Sequence, residues 1–177
     1  LVAGSWPTQE DELLVVLNQD GTLSDFDAYE LGLRDHLELE GMVSLVVSEA
    51  SGSEDDKTKE DYEPDDNRVY SYEDILNAHV KMVYPSDMYT YDGTYNIWTD
   101  KSNDTDCMNN LIANGKDLHV AGIVKQADSA TASALDPGLY YTSAVTHDIM
   151  DHAEQSDIVQ QQLANPECDV FSNRSFL

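Results

Sequence analysis

No apolar run in this sequence is longer than one β-strand, and that limit governs what the chain can fold into. The runs available to build a core are Glu12–Leu17 (ELLVVL), Leu39–Ser48 (LEGMVSLVVS), His79–Tyr84 (HVKMVY) and Leu118–Val124 (LHVAGIV). The first is apolar at every position after Glu12, the pattern of a strand buried on both faces. The third alternates through Val80, Met82 and Tyr84, the period of a strand with one buried face. Met42–Val47 is strand-sized, whereas crossing a bilayer as a helix takes about 18 apolar residues or more.

Short helices fill the intervals. Ser24 and Asp27 open one that Gly32 is placed to end, and Ser71 and Asp74 bracket the start of another. Asn103 or Asp104 caps a helix running to Asn114, with Met108, Leu111 and Ile112 as its apolar stripe and Gly115 as its stop. A small-residue loop and a Gly138-Leu139-Tyr140-Tyr141-Thr142 step lead into a helix over Thr142–Ala153, with Val145, Ile149 and Ala153 at four-residue spacing. Ser156 caps the next helix, which turns Val159 and Leu163 inward and ends before Pro166. Asp92-Gly93 is the expected turn of a hairpin in the Tyr-rich stretch Tyr84–Trp98. Scattered strands among short helices predict an α+β fold with a mixed sheet.

Charge narrows the function classes. The chain has 35 Asp and Glu against 9 Lys and Arg, a formal net charge of −26. No Lys or Arg occurs in Leu1–Leu33 or in Gln126–Asn173. Such a surface repels phosphate backbones and anionic lipid headgroups, so the reading is no nucleic acid as partner. Solubility in a salty or acidic habitat and attraction of a cationic peptide are the two readings of the acidity. The stretch 50–67 is almost purely polar and reads as an acidic flexible loop.

The residues offer weak starting points for chemistry. Cys107 and Cys168 suit either one bridge or two half-buried free thiols, and their acidic neighbours disfavour thiolate formation. Asn18-Gln19-Asp20-Gly21 resembles part of a calcium loop, but the first ligand position falls on Val16, so a plain turn is preferred. The acids of 54–66 offer at most loose calcium binding. His147 and His152 sit five apart, roughly 140° around a helix, and cannot share a metal. Asp148 and His152 share a face open to a local ion pair or a lone two-ligand site, but a solvated face is the preferred reading. His119 reads as a structural histidine, and His36 and His79 have no Cys or paired His nearby. No Gly-x-Ser-x-Gly elbow or phosphate-binding Gly-x-x-x-x-Gly-Lys loop is present. The reading is no catalytic, cofactor-binding or metal-ligating residues and no cofactor. The Tyr84–Trp98 aromatics read as alternating between core and surface of their hairpin, with a sugar- or peptide-binding platform as the alternative.

Four motifs carry a family resemblance. They are Ala3-Gly4-Ser5-Trp6-Pro7 before Glu12–Val16; Gly21–Asp25 with Tyr29–Leu33; Tyr72–Leu76 leading to Val80–Val83; and Leu118–Asp169, which includes Gly122-Ile123-Val124, Gly138–Thr142 and Gln162–Pro166. In that order and spacing they resemble the extracytoplasmic, MacB-like periplasmic core domain of Gram-positive FtsX/MacB-type ABC transporter permeases. The resemblance implies a single extracellular core domain. Its main lobe would comprise 1–48 and 117–177, and a small inserted lobe 69–115. It implies a non-catalytic part of a multi-pass membrane protein at the extracellular face of the cell membrane. ATPase-driven movement of the membrane helices would be coupled there to substrate or partner handling, with ATP hydrolysis on a separate subunit or domain. Its partners would be a second permease copy or half, the cytoplasmic ATPase and a cationic peptide substrate. The isolated domain, like-charged on every face, would stay monomeric. The chain starts at LVAGSWP, without initiator Met or signal-peptide pattern, and reads as a segment whose flanks hold the membrane helices. The competing reading is a secreted or surface-anchored module that binds glycans or proteins.

Overall fold

A computed structural model describes residues 1–35 and 69–176. The strand expected at Leu39–Ser48, the acidic stretch 50–67 and His36 lie outside those described residues. The described residues form a mixed α+β fold with a mixed sheet and short helices. Nine strands occur among them: β1 (Ala3–Gly4), β2 (Glu12–Val16), β3 (His79–Met82), β4 (Tyr89–Asp92), β5 (Ile97–Asp100), β6 (Lys116–Val124), β7 (Gly138–Tyr141), β8 (Cys168–Asp169) and β9 (Arg174–Ser175). The helices are α1 (Asp25–Glu30), α2 (Tyr72–Leu76), α3 (Thr105–Asn114), α4 (Ser143–Gln155) and α5 (Asp157–Ala164). A 3-10 turn spans Pro85–Met88. Among the described residues no helix is long and apolar enough to cross a membrane.

The main sheet has five described strands in the order β1-β6-β2-β7, with β3 also paired to β6. β6 is its hub, and β1 runs antiparallel to it with Ala3 opposite Ile123 and Gly4 opposite Gly122. That pairing depends on two glycines. A Cβ on Gly4 would strike the carbonyl of Ala121, and one on Gly122 would strike the carbonyl of Ser5. Gly4 also has φ 66°, a conformation open to glycine at little cost.

The chain divides into two compact units. The first comprises Leu1–Pro7, Leu13–Val80 and His119–Tyr140. As expected for a strand buried on both faces, Leu13 to Leu17 are each at most 4% exposed. Val15 and Leu17 pack with Leu31, Ile75, Ala78, Val120 and Ile123, while Leu14 and Val16 pack with Val124 and Tyr140. Burying each branched side chain contributes about 1.5–3 kcal/mol. Two caps orient the short helices of this unit. The Ser24 hydroxyl accepts from the Asp27 amide at 3.1 Å, and Ser71 and Asp74 form a reciprocal capping box. The Asn18–Gly21 segment is the plain turn expected, closed by Thr22 N–H and Oγ1–H donating to Asp20 Oδ1 at 2.9 and 2.7 Å.

The second unit comprises Thr8–Glu12, Lys81–Leu118 and Tyr141–Leu177. It holds the β4–β5 hairpin, α3, α4, α5 and the β8–β9 ribbon. Asp104, not Asn103, caps α3, accepting from the Cys107 amide at 3.1 Å. Gly115 ends that helix for a reason other than a left-handed conformation: its φ is −62°, but a Cβ there would lie 2.7 Å from the Met82 carbonyl oxygen. Two inward-facing expectations fail: Ile112 is 46% and Leu163 63% exposed, while Val159 is half-buried beside the buried Ile158. Ser156 is not a side-chain cap either, because its hydroxyl donates back to the Ala153 carbonyl at 2.6 Å.

Candidate functional site

Three long-range side-chain contacts of the second unit end on α4. Thr142 starts this helix by accepting from the Ala144 amide at 3.3 Å. Asp148 and His152, one turn apart, then face the same way. In place of the solvated face expected, both are half-buried and each takes a distant partner. Asp148 Oδ2 accepts from Tyr84 Oη at 2.7 Å and from Lys116 Nζ at 2.8 Å. Lys116 Nζ also donates to Glu10 Oε1 at 3.0 Å. The His152 ring stacks on Tyr84, with centroids 3.7 Å apart and planes 12° from parallel, and its Nε2 lies 2.7 Å from Asp87 Oδ1. Pro85 starts the 3-10 turn that carries Asp87, its fixed φ suited to that first position.

These contacts set the charge states. The Lys116 ammonium holds the Asp148 carboxyl below its usual value, and the Tyr84 hydroxyl adds to this against the opposing effect of burial. Burial alone would lower Lys116, but its bonds to Asp148 and Glu10 outweigh it and the ammonium is held above its usual value. Burial, then donation to Asp148, pushes the Tyr84 phenol up. Tyr84 is thus a fixed donor and Lys116 a fixed cation. The network ties residue 10, the start of β6, residue 84 and α4 into one polar clamp.

Beside the clamp lies a hollow of about 390 Å³, with Tyr89 and Trp98 as its aromatic wall and Asp87, His152, Asp157 and Ile158 among its other lining residues. The β4–β5 register explains that wall. Tyr91 sits opposite Trp98, and Tyr89 is two residues along the strand, so the three share one face. The expected hairpin is present, but these aromatics do not alternate between core and surface. Its loop is Gly93–Asn96, begun by Thr94 N–H donating to Asp92 at 2.8 Å, and the positive φ falls on Asn96 at 56°. Trp98 is fixed by its indole N–H donating to Gln161 Oε1 at 2.8 Å and its amide donating to the Val170 carbonyl at 2.9 Å.

An apolar groove of about 360 Å³ adjoins the hollow, and both share Ser86, Tyr89 and Ile158 in their walls. Val159, Leu163, Val170 and Phe171, with Pro85 and Ala153, complete its apolar lining. The Tyr89 and Phe171 rings meet at 5.4 Å. The Lys and Arg residues of the described chain stand outside the linings of both.

The other sequence candidates are not among the lining residues of the hollow or the groove. His147 is exposed on α4, His79 is exposed in β3 and His119 is half-buried in β6. Cys107 and Cys168 are free and half-buried. Among the described residues no three His, Cys, Asp or Glu side chains are grouped to hold a metal ion. Tyr84, Lys116, Asp87 and Trp98 came together through contacts between distant segments, for which the sequence carries no local signal. No family model matches the chain, and no match to a curated protein or a solved structure was found.

Proposed function

We propose that this chain is the non-catalytic extracytoplasmic domain of an FtsX/MacB-type ABC transporter permease subunit. It would transmit ATPase-driven movement of membrane helices to a substrate or partner outside the cell. The reading rests on the ordered sequence motifs, and one observation supports it most. The first and last motifs, far apart in sequence, meet as neighbouring strands at the glycine pair Gly4 and Gly122. The glycines in the motifs thus have a physical reason to be there, since side chains at either position would strike backbone. In this reading the partners are a second permease copy or half, a cytoplasmic ATPase and a cationic peptide. The domain alternates between two arrangements that differ in affinity for what it handles.

The aromatic wall of the hollow favours a second reading, a surface-anchored module that binds proteins or glycans without a transporter. Expression of the full-length gene distinguishes the two. Under the first, a tag inserted in this chain is labelled by a membrane-impermeant reagent on intact cells, the protein extracts with detergent only, and an ATPase co-purifies. Release of the tagged protein by cell-wall digestion, with no ATPase attached, rules the permease out.

A further inference from the structure

The hollow and groove beside α4 and α5 form one bipartite surface, and we infer that it docks a short peptide segment carrying a basic side chain next to an apolar one. This rests on the cationic-partner element of the function proposed above and adds the place and the pattern. The hollow offers a flat indole and phenol, Trp98 and Tyr89, with the carboxylates of Asp87 and Asp157 at its margin. A guanidinium or ammonium over an aromatic face with carboxylates nearby gains both cation–π attraction and ion pairing. The groove offers Val159, Leu163, Val170 and Phe171, with Leu163 63% and Phe171 49% exposed. Because Tyr89 and Ile158 wall both, the two side chains of the occupant belong close together on the peptide. In an extended peptide, residues two apart point the same way and satisfy that demand.

Charge decides among occupants. Gln126–Asn173 contains no Lys or Arg, so α4, α5 and the segment carrying Val170 and Phe171 present an anionic surround to an apolar groove. An acidic peptide, or a second copy of this chain with net charge −26, meets repulsion there; a basic one is attracted and steered.

Titration of this chain with a capped peptide pairing two arginines with a leucine and a phenylalanine tests the inference, by calorimetry in 50 and 300 mM salt. Saturable binding is expected, weakened about threefold by the added salt. Replacing the arginines with glutamate, or both apolar residues with serine, is expected to weaken it at least about tenfold. Leu163→Asp in the groove and Asp157→Lys at the hollow should each weaken it about fivefold, with circular dichroism unchanged. Equal binding to wild type and both variants would show diffuse attraction to the acidic surface and overturn the inference, as would absence of binding in 50 mM salt. A dimer in light scattering that Leu163→Asp dissolves would give the groove to a second copy and also overturn it. None of these results bears on membrane topology, so the permease reading stands or falls separately by the labelling test.

Discussion

Two residue-scale features carry consequences out of proportion to their size. The first is the close approach at Gly4 and Gly122, where there is no space for a methyl group on either strand. Gly4→Ala adds left-handed backbone strain to that overlap, so we expect destabilisation of about 3 kcal/mol or more, read as a lower urea midpoint. The second is the Tyr84–Asp148–Lys116–Glu10 clamp. Asp148 has a lowered folded-state value, so its stabilisation is fully present above the ordinary carboxylate value of 3.8 and is lost as pH falls through the lowered one. Lys116 is raised, so its stabilisation is fully present below 10.5 and is lost as pH rises beyond that. Asp148→Asn should therefore show a shallower loss of stability below pH 4 than wild type in acid titrations followed by circular dichroism. An unchanged acid limb would mean that the carboxylate contributes nothing through its charge.

At the scale of elements, side-chain caps differ in what they satisfy. The Ser71 hydroxyl and the Asp74 carboxylate answer free amides at the start of α2, whereas the Ser156 hydroxyl answers a carbonyl at the end of α4. Ser71→Ala should cost about 1 kcal/mol and Ser156→Ala well under half that, measured by denaturant unfolding. Ser24 and Ser71, and Asp104 as one of two alternatives, were legible in the sequence because a cap is a contact within three residues. The buried strand Glu12–Leu17 was legible because unbroken apolar character leaves it no solvent face. The inward face of α5 was not. Gln161 and Gln162 point inward to meet Trp98 Nε1 and the backbone of Cys168 and Val170, rotating Leu163 outward. A hydropathy stripe cannot register that, because the glutamines face inward through hydrogen bonds to Trp98 and to backbone beyond the end of the helix. The hollow was illegible for the same reason: its aromatic wall comes from the hairpin and its acidic margin from Asp87 and Asp157, on separate elements.

For the whole molecule, self-repulsion is the dominant long-range term. With 35 acids against 9 bases, compaction brings like charges within reach of one another, and salt screens them. Raising sodium chloride from 0.05 to 1 M should raise Tm by about 5 °C, equivalent to roughly 2 kcal/mol. A Tm that stays flat or falls would show that the local ion pairs outweigh the net repulsion. The chain's two tryptophans divide between its units, with Trp6 in the first and Trp98 in the second. Trp98 donates its indole proton to Gln161 at the edge of the hollow, so its emission colour depends on how wet that edge is. Once Trp6 is replaced by Phe, Trp98 is the sole tryptophan, and its emission under excitation that spares the tyrosines reports arrival of a guest in the hollow, with no dye attached.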